Sequence, residues 1–320
     1  MTDRPVAAID CGTNTIRLLI GALPEVSVRE SRLVRLGQGV DRTGLLDEAA
    51  MGRAFAVLDE YAALLAAHGV TPDRLRFCAT SATRDAGNAE EFTRGVERRL
   101  GVRPEVIDGQ EEARLGFVGV MRGLRTPPGQ SSGRPVLVVD IGGGSTELVL
   151  GESGPSRSPS AAISLDIGSV RLHERHLHDD PASPEQVAAC VADIDAALDA
   201  AAAAGVDLGA AATVVGVAGT SATVAAGCLG LSSFDAETID QSAIAVADSH
   251  AVIERLVAAT VAERLALGYV LPGRADVIDA GALILDRVMR RTSVGSWVAC
   301  EADLLDGIAW SVLDRGGQLR

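Results

Sequence analysis

One short phrase occurs twice in this chain. Residues 6–21 read VAAIDCGTNTIRLLIG and residues 136–151 read VLVVDIGGGSTELVLG, and the two align without a gap. In each copy apolar residues lead to an aspartate, a glycine-containing turn follows, and a second apolar run leads away. This order predicts a strand, a tight turn and a second strand in each copy. The chain is therefore expected to fold into two related halves.

The turn in each copy is suited to binding phosphate. A turn with little side chain lets backbone N–H groups approach a phosphate closely, and an aspartate at the strand end can hold a cation or a water. Two such turns facing each other would form a two-sided clamp for a phosphate chain. Alternatively, each aspartate only bonds its own turn. We favour function, because both Asp10 and Asp140 are followed two residues later by a glycine.

The length and the element pattern predict two α/β domains. A chain of 320 residues with 47% hydrophobic residues can form two cores. We expect an N-terminal domain over 1–126 and a C-terminal domain over 134–301, joined by a Pro/Gly-containing linker at 126–133. A C-terminal helix at 302–320 is a candidate addition to the first domain. The ligand is expected in the cleft between the domains, at the carboxyl ends of strands.

Two individual elements are also predicted from the local pattern. A strand is expected at 31–36, as the third strand of the opening meander. A helix is expected at 240–257, because the second half of the chain reads as mostly helical.

Charge and cysteine content argue against several classes of protein. The net charge of −14 argues against a large nucleic-acid-binding surface. All 29 basic residues are arginine, which excludes a Walker-type P-loop and its lysine. Five scattered cysteines without a CxxC pair argue against a zinc ribbon or a secreted disulfide framework and favour the cytoplasm. No signal peptide or membrane span is expected, although residues 210–228 carry no charge.

Carboxylates occur at two further places where they suit phosphate chemistry. Glu147 stands where the first copy has Arg17, and across a hairpin it can meet Asp140 to form a paired-carboxylate Mg²⁺ site. The alternative is that Glu147 is a solvated strand residue. Glu111 and Glu112 begin a helix, where acidic residues also complement the helix dipole. Neighbouring helical side chains point about 100° apart, so at most one of the two need face a site and act as a general base.

Polar residues follow two more predicted strands. Residues 80–84 read TSATR, and hydroxyls with an arginine suit a terminal phosphate. Residues 216–223 read GVAGTSAT and open a helix, which is either a third anion site or a plain helix start.

Histidines and one cysteine offer weaker candidates. His173, His176 and His178 could bind a metal, but a solvated loop or helix end explains them better. Cys11 lies inside the first turn; it is either a redox-sensitive thiol or, as we favour, a small buried residue.

Five motifs together resemble the exopolyphosphatase/guanosine pentaphosphate phosphatase family. They are IDCGTNT at 9–15, ATSATR at 79–84, GQEEAR at 109–114, VDIGGGSTEL at 139–148 and GVAGT at 216–220. GSVRL at 168–172 and RADVIDAG at 274–281 look like further stretches of the same family. The order and spacing of the motifs match over essentially the whole chain.

The resemblance implies a fold, an activity and a set of site residues. The fold would be two ribonuclease H-like domains of the actin-like, sugar-kinase-like superfamily with an interdomain active site. The activity would be Mg²⁺-dependent (or Mn²⁺-dependent) removal of a terminal phosphate by a cytoplasmic homodimer, with a link to the stringent response. By likeness, Glu112 would be the general base, Asp140 and Glu147 would serve the metal and the nucleophilic water, and Asp10 would be a further metal ligand. The implied phosphate-binding residues are Asp10, Gly12, Thr13, Asn14, Arg84, Gly142, Gly143, Gly144, Ser145, Gly219 and Thr220.

The main prediction is therefore an exopolyphosphatase acting on inorganic polyphosphate. Long family members carry a C-terminal helical extension that this sequence lacks, so a preference for short chains is expected. Residues 304–308 read LLDGI, without the arginine that family members often show there. The alternatives are a guanosine pentaphosphate 5′-phosphohydrolase, an ATP-using kinase of the same superfamily, and a non-catalytic sensor of polyphosphate or alarmone. The retention of Glu111, Glu112, Asp140 and Glu147 argues against the sensor.

Overall fold

The computed structural model describes residues 4–125, 135–152 and 159–318 of the chain. Its contacts define two compact units, one of Met1–Gly119 with Leu304–Arg320 and one of Val120–Asp303. The C-terminal helix belongs to the first unit, and the division falls inside the helix Gly109–Gly123. The linker expected at 126–133 lies outside the described residues.

The first unit is a five-stranded sheet with helices on both faces. Its strands are β1 (Val6–Cys11), β2 (Thr15–Ala22), β3 (Glu25–Leu33), β4 (Leu75–Ala79) and β5 (Glu105–Val106). Its helices are α1 (Val40–Thr43), α2 (Glu48–Ala67), α3 (Ser81–Arg84), α4 (Ala89–Leu100), α5 (Gly109–Gly123) and α13 (Leu304–Gln318). The strand order is β3-β2-β1-β4-β5, with β1, β2 and β3 antiparallel and β1, β4 and β5 parallel.

Both faces of the first sheet are covered. Successive side chains of β1 point to opposite faces, and each set packs in a different hydrophobic cluster. Ala7 and Ile9 pack in the core cluster that contains buried residues of α2 and α4. Val6 and Ala8 pack in the other cluster, against residues of α13 such as Ile308. The C-terminal helix is thus a structural part of this unit.

The second unit is a six-stranded sheet with the same central order. Its strands are β6 (Pro135–Ile141), β7 (Thr146–Glu152), β8 (Pro159–Leu165), β9 (Thr213–Val217), β10 (Ala243–Ala245) and β11 (Ser296–Ala299). Its helices are α6 (Ser169–His176), α7 (Pro184–Ala203), α8 (Ala218–Cys228), α9 (Ala236–Ile239), α10 (Val246–Ala258), α11 (Val261–Ala266) and α12 (Ile278–Arg290). The strand order is β10-β11-β9-β6-β7-β8.

The two sheets therefore repeat one topology. In each, three antiparallel strands in chain order are followed by two parallel strands on the other side of the first, and the second sheet adds β10 at its edge. This is the arrangement of the ribonuclease H-like fold, so the predicted fold class is confirmed. The duplicated phrase at 6–21 and 136–151 forms the first hairpin of each sheet.

Two predicted elements were wrong in their bounds. The strand expected at 31–36 is β3, which runs over Glu25–Leu33. It lies at the edge of the sheet and carries exposed charged residues, which obscured the alternation of apolar and polar residues in its sequence. The helix expected at 240–257 begins only at Val246, because Ala243–Ala245 pairs with β11 as strand β10. Tertiary pairing overrides the helix propensity of alanine there.

No helix among the described residues has the length and hydrophobicity needed to cross a membrane.

Candidate active site

The first hairpin of each unit brings an aspartate opposite the side chain that follows the turn. Asp140 of β6 lies directly opposite Glu147 of β7, and Asp10 of β1 lies directly opposite Arg17 of β2. Directly opposed residues on antiparallel strands project from the same face of the sheet. The register therefore brings Asp140 and Glu147 together across the hairpin.

The two equivalent positions differ in charge. In the first unit, Nε and Nη2 of Arg17 both donate to Oδ2 of Asp10, at 3.0 and 2.6 Å, so the buried carboxylate is compensated within the hairpin. In the second unit, Glu147 is also buried but stands beside a second carboxylate. Like charges directly opposite each other on a sheet are unfavourable. Two facing carboxylates of this kind offer the type of ligand that a divalent cation prefers.

Ser164 completes the row on the next strand. It lies directly opposite Glu147 on β8, and its hydroxyl donates to Oε1 of Glu147 at 2.7 Å. A hydrogen bond of this kind fixes the orientation of a carboxylate that ligates a metal. Ser31 occupies the corresponding place opposite Arg17 in the first unit.

The carboxylates of this row fit a magnesium ion. Mg²⁺ in proteins is commonly held by one or two carboxylates together with waters and substrate phosphates. Asp140 and Glu147 supply that number of carboxylates. Among the described residues no group of three or more His, Cys, Asp or Glu side chains is arranged to hold a metal.

Both glycine-containing turns have the same closure. The N–H of Gly12 donates to the carbonyl of Thr15, and the N–H of Gly142 donates to that of Ser145, each at 3.0 Å. In each unit, main-chain N–H groups of the segment that follows the third strand donate to carbonyl oxygens of the turn. The predicted phosphate-binding residues Gly12, Thr13 and Asn14, and Gly142, Gly143, Gly144 and Ser145, lie in these two turns.

Glu111 and Glu112 are adjacent in sequence but bind different partners. Glu111 is bound to Arg114, at 2.7 Å from its Nε, and to the buried Arg76 at 3.2 Å. The hydrogen bond from Arg114, with a contribution from Arg76, lowers the pKa of Glu111. Glu112 is buried and accepts a hydrogen bond from Nη1 of Arg84 at 3.2 Å. Glu111 is thus held in an ion-pair network, and Glu112 lies beside a predicted phosphate-binding arginine.

Arg84 is placed by the short helix α3, at the carboxyl end of β4. Its Nη1 also donates to the carbonyl of Ile107, at 3.1 Å, which fixes the guanidinium beside the start of α5. The arginine that the sequence assigned to phosphate is therefore also the partner of the predicted general base.

The turn between β9 and α8 carries Gly219 and Thr220. Ala218 has a left-handed backbone conformation (φ 61°), which turns the chain sharply into the helix. A Cβ at Gly219 would overlap the guanidinium of Arg274, whose Nη1 donates to the carbonyl of Gly219 at 3.2 Å. The lack of a side chain at Gly219 leaves room for the guanidinium of Arg274, which joins this turn.

Three residues that contact these sites were not among the predicted ones: Ser164, Arg274, and Arg171, whose Nε donates to the carbonyl of Gly144. Arg171 and Arg274 lie in the GSVRL and RADVIDAG stretches, which had been recognised without roles for individual side chains. Ser164 could have been found by extending the repeat to the third strand, where Ser31 and Ser164 take equivalent places.

The weaker candidates have ordinary partners. His173 Nδ1 lies 3.6 Å from Asp279 and His176 Nε2 lies 2.9 Å from Asp193, so both belong to contacts of α6 with its neighbours. Cys11 is buried, and burial together with the nearby Asp10 raises the pKa of its thiol well above the usual value. A thiol held protonated in this way is a poor nucleophile.

Comparison with known proteins identifies the family. The family model of the Ppx/GppA phosphatase family matches residues 20–315. The chain belongs to the Ppx/GppA phosphatase family. Exopolyphosphatase 2 of Mycobacterium tuberculosis is 42% identical, over 96% of this chain and 98% of that protein.

Solved structures of Ppx/GppA relatives agree with the fold. The crystal structure of an exopolyphosphatase-like protein has a TM-score of 0.90 at 44% identity, covering 99% of this chain and 100% of that one. An exopolyphosphatase from Cytophaga hutchinsonii has a TM-score of 0.85 at 27% identity, covering 98% of each chain. The likeness extends over both units.

Proposed function

We propose that this Ppx/GppA protein is an exopolyphosphatase that removes the terminal phosphate of inorganic polyphosphate in a Mg²⁺-dependent reaction. The observation that carries the proposal is the carboxylate pair formed by the half-buried Asp140 and the buried Glu147, beside a glycine-rich turn in a chain 42% identical to an exopolyphosphatase. Asp10 faces an arginine at the equivalent position of the first unit, whereas Asp140 faces a second carboxylate, which favours a cation at this place.

The residues of the second unit would hold the metal and a phosphate. Asp140 and Glu147 would ligate Mg²⁺, with Ser164 orienting Glu147. When bound, the ion supplies positive charge to phosphate oxygens and lowers the pKa of a ligated water. The N–H groups of Gly143, Gly144 and Ser145 would hold phosphate oxygens, since backbone amides in such turns form anion-binding concavities. Mn²⁺ offers a similar preference for oxygen ligands.

We propose that Asp10 contributes less to metal binding than Asp140 and Glu147. Its Oδ2 accepts two hydrogen bonds from Arg17, so its charge is already balanced within β1 and β2. We propose that Asp10 orients the first turn, with Gly12, Thr13 and Asn14 contributing to phosphate binding, and that the metal belongs to the second unit.

The residues of the first unit would supply the proton acceptor. Glu112 would take a proton from the attacking water, and Arg84 would hold the carboxylate in place while also attracting phosphate. Phosphoryl transfer depends mainly on positioning and on stabilisation of charge, so loss of the base and loss of a phosphate-binding turn should both lower the rate. Gly219 and Thr220 at the start of α8 would provide a further anion site.

The test is phosphate release by the purified protein from tripolyphosphate, long-chain polyphosphate and guanosine pentaphosphate, with Mg²⁺, with Mn²⁺ and with a chelator. Mg²⁺-dependent release from polyphosphate is expected, and competition between the nucleotide and tripolyphosphate gives the preference between them. Release from guanosine pentaphosphate alone would assign the protein to alarmone hydrolysis instead. Binding without release under any metal would support the sensor.

Four further expectations stay predictions. They are the preference for short chains, the homodimer, the cytoplasmic location and a role in the stringent response. The relative rates on tripolyphosphate and long-chain polyphosphate measure the first, and sedimentation at several protein concentrations measures the second.

A further inference from the structure

The first residues of α6 donate hydrogen bonds to the carbonyl oxygens of the glycine-rich turn of the second unit. The carbonyl of Gly142 accepts from the N–H of Ser169 at 2.9 Å, and that of Gly143 accepts from the N–H groups of Val170 and Arg171 at 2.9 and 3.1 Å. The carbonyl of Gly144 accepts from a side chain, the Nε of Arg171, at 2.7 Å. Three consecutive carbonyls of the turn thus point to the same side.

This arrangement fixes the direction of the amides as well. In a planar trans peptide, the carbonyl of one residue and the N–H of the next point in opposite directions. Since the carbonyls of Gly142, Gly143 and Gly144 point towards α6, the N–H groups of Gly143, Gly144 and Ser145 point away from it. Successive N–H groups on one side of a turn make an anion-binding concavity.

At the corresponding place the first unit orients its turn with main-chain donors. The carbonyl of Asn14, which corresponds to that of Gly144, accepts from the N–H groups of Val34 and Arg35 at 3.0 and 2.9 Å. The second unit uses the Arg171 side chain for this peptide. The orientation of one peptide in the second turn is therefore open to change by a single substitution that leaves the backbone sequence of the turn intact.

We propose that Arg171 is a positioning residue for phosphate binding, which acts by holding the peptide between Gly144 and Ser145 through its Nε–H. The proposal rests on the proposed phosphate-binding role of this turn. Arg171 would then act by orienting the turn with its Nε–H, and its positive charge would not need to contact the phosphate. Gly168 supports the same contact, because a Cβ there would lie 2.5 Å from the carbonyl oxygen of Gly143 and so could not be accommodated without moving the turn.

Two substitutions separate the hydrogen bond from the charge. In Arg171→Gln the amide nitrogen stands the same number of bonds from Cα as Nε does in arginine, so the donor to Gly144 is kept and the charge is lost. In Arg171→Lys the charge is kept, but a methylene group replaces the Nε–H. Arg171→Met removes both and keeps a similar apolar stem.

The experiment measures kcat/KM for the release of phosphate from tripolyphosphate and compares these three variants with the natural chain. Loss of the one hydrogen bond that orients the amide should lower kcat/KM about tenfold in Arg171→Lys and Arg171→Met, while Arg171→Gln retains most of the activity. The reverse order, with lysine active and glutamine impaired, would overturn the proposal, because it would mean that the charge of Arg171 acts on phosphate directly. Equal activity of all variants would also overturn it.

A second readout does not depend on the substrate. ¹⁵N relaxation of the Gly144 and Ser145 amides reports the rigidity of the peptide itself. Raised mobility in the Arg171→Lys and Arg171→Met variants but not in Arg171→Gln is expected, even if polyphosphate proves not to be the substrate. Unchanged relaxation in all three would overturn the positioning role while leaving the proposed activity standing.

Discussion

Asp140 and Glu147 face each other across the hairpin of β6 and β7 at the position where the first unit pairs Asp10 with Arg17. At this one position the first hairpin has Arg17 and the second has Glu147, so an ion pair in one hairpin corresponds to a carboxylate pair in the other. The first arrangement is a hydrogen-bonded ion pair, and the second is the one that we propose binds Mg²⁺. The internal repeat therefore provides its own control for experiments on the site.

Ser164→Ala should weaken metal binding without removing a metal ligand. The hydroxyl of Ser164 orients Glu147, and loss of such a partner commonly lowers metal affinity about 10- to 100-fold. The measurement is the Mg²⁺ concentration that gives half-maximal phosphate release. Ser31→Ala, at the equivalent place opposite Arg17, is the matched control and should not shift this concentration.

Arg17→Met should destabilise the first unit. It leaves Asp10 buried without its guanidinium partner, which for a buried pair costs about 3–5 kcal/mol in the free energy of unfolding. Urea unfolding measures this, and the double variant with Asp10→Asn should recover part of the loss because it removes the uncompensated charge. If Arg17→Met changed the Mg²⁺ requirement rather than stability, Asp10 would be restored as a metal ligand.

Glu112→Gln should lower kcat about 100-fold or more, the usual contribution of a general base. Glu111→Gln is the control on the adjacent residue, because Glu111 is bound to Arg114 and Arg76 and should affect turnover little. Both variants should unfold at the same denaturant midpoint as the natural chain, so that a change in kcat cannot be attributed to a loss of stability. Comparable losses in the two variants would remove the assignment of the base to Glu112.

The second unit should lose stability in acid through Asp279. Burial raises the pKa of Asp279, but the nearby His173 and the Arg264 guanidinium, 2.9 Å away, outweigh it and lower the pKa below its ordinary 3.8. A lowered pKa means that the ionised group stabilises the fold above the ordinary value, and that this stability is lost as pH falls below 3.8 towards the folded pKa.

The fluorescence of Trp297, buried in the second unit, measures this loss in a Trp310→Phe background. At neutral pH, Arg264→Met should lower the free energy of unfolding by about 3–5 kcal/mol, because Asp279 is left buried and unpaired. In Arg264→Met the step in stability below pH 3.8 should shrink. An undiminished step in that variant would assign it to other carboxylates.

The duplicated hairpin could be read from the sequence because it is local. Alternation of apolar residues, the aspartate and the glycine turn fix the two strands within 16 residues of each copy, and register follows from the tight turn. The motifs then placed the family, and with it the ribonuclease H-like topology. β10 was missed because its three residues have no strand signal of their own and depend on pairing with β11.

The sequence by itself determined which residues are proposed to carry the chemistry, because type and spacing are written in the chain: an aspartate before each turn, a glutamate after the second, and a glutamate pair opening α5. Only the tertiary structure decided how they are partnered. Ser164 reaches Glu147, Arg84 reaches Glu112 and Arg171 reaches Gly144 through contacts between segments distant in sequence. The physical reason is that a hydrogen bond requires a specific distance and direction, and these are set by the packing of strands and helices rather than by neighbouring residues.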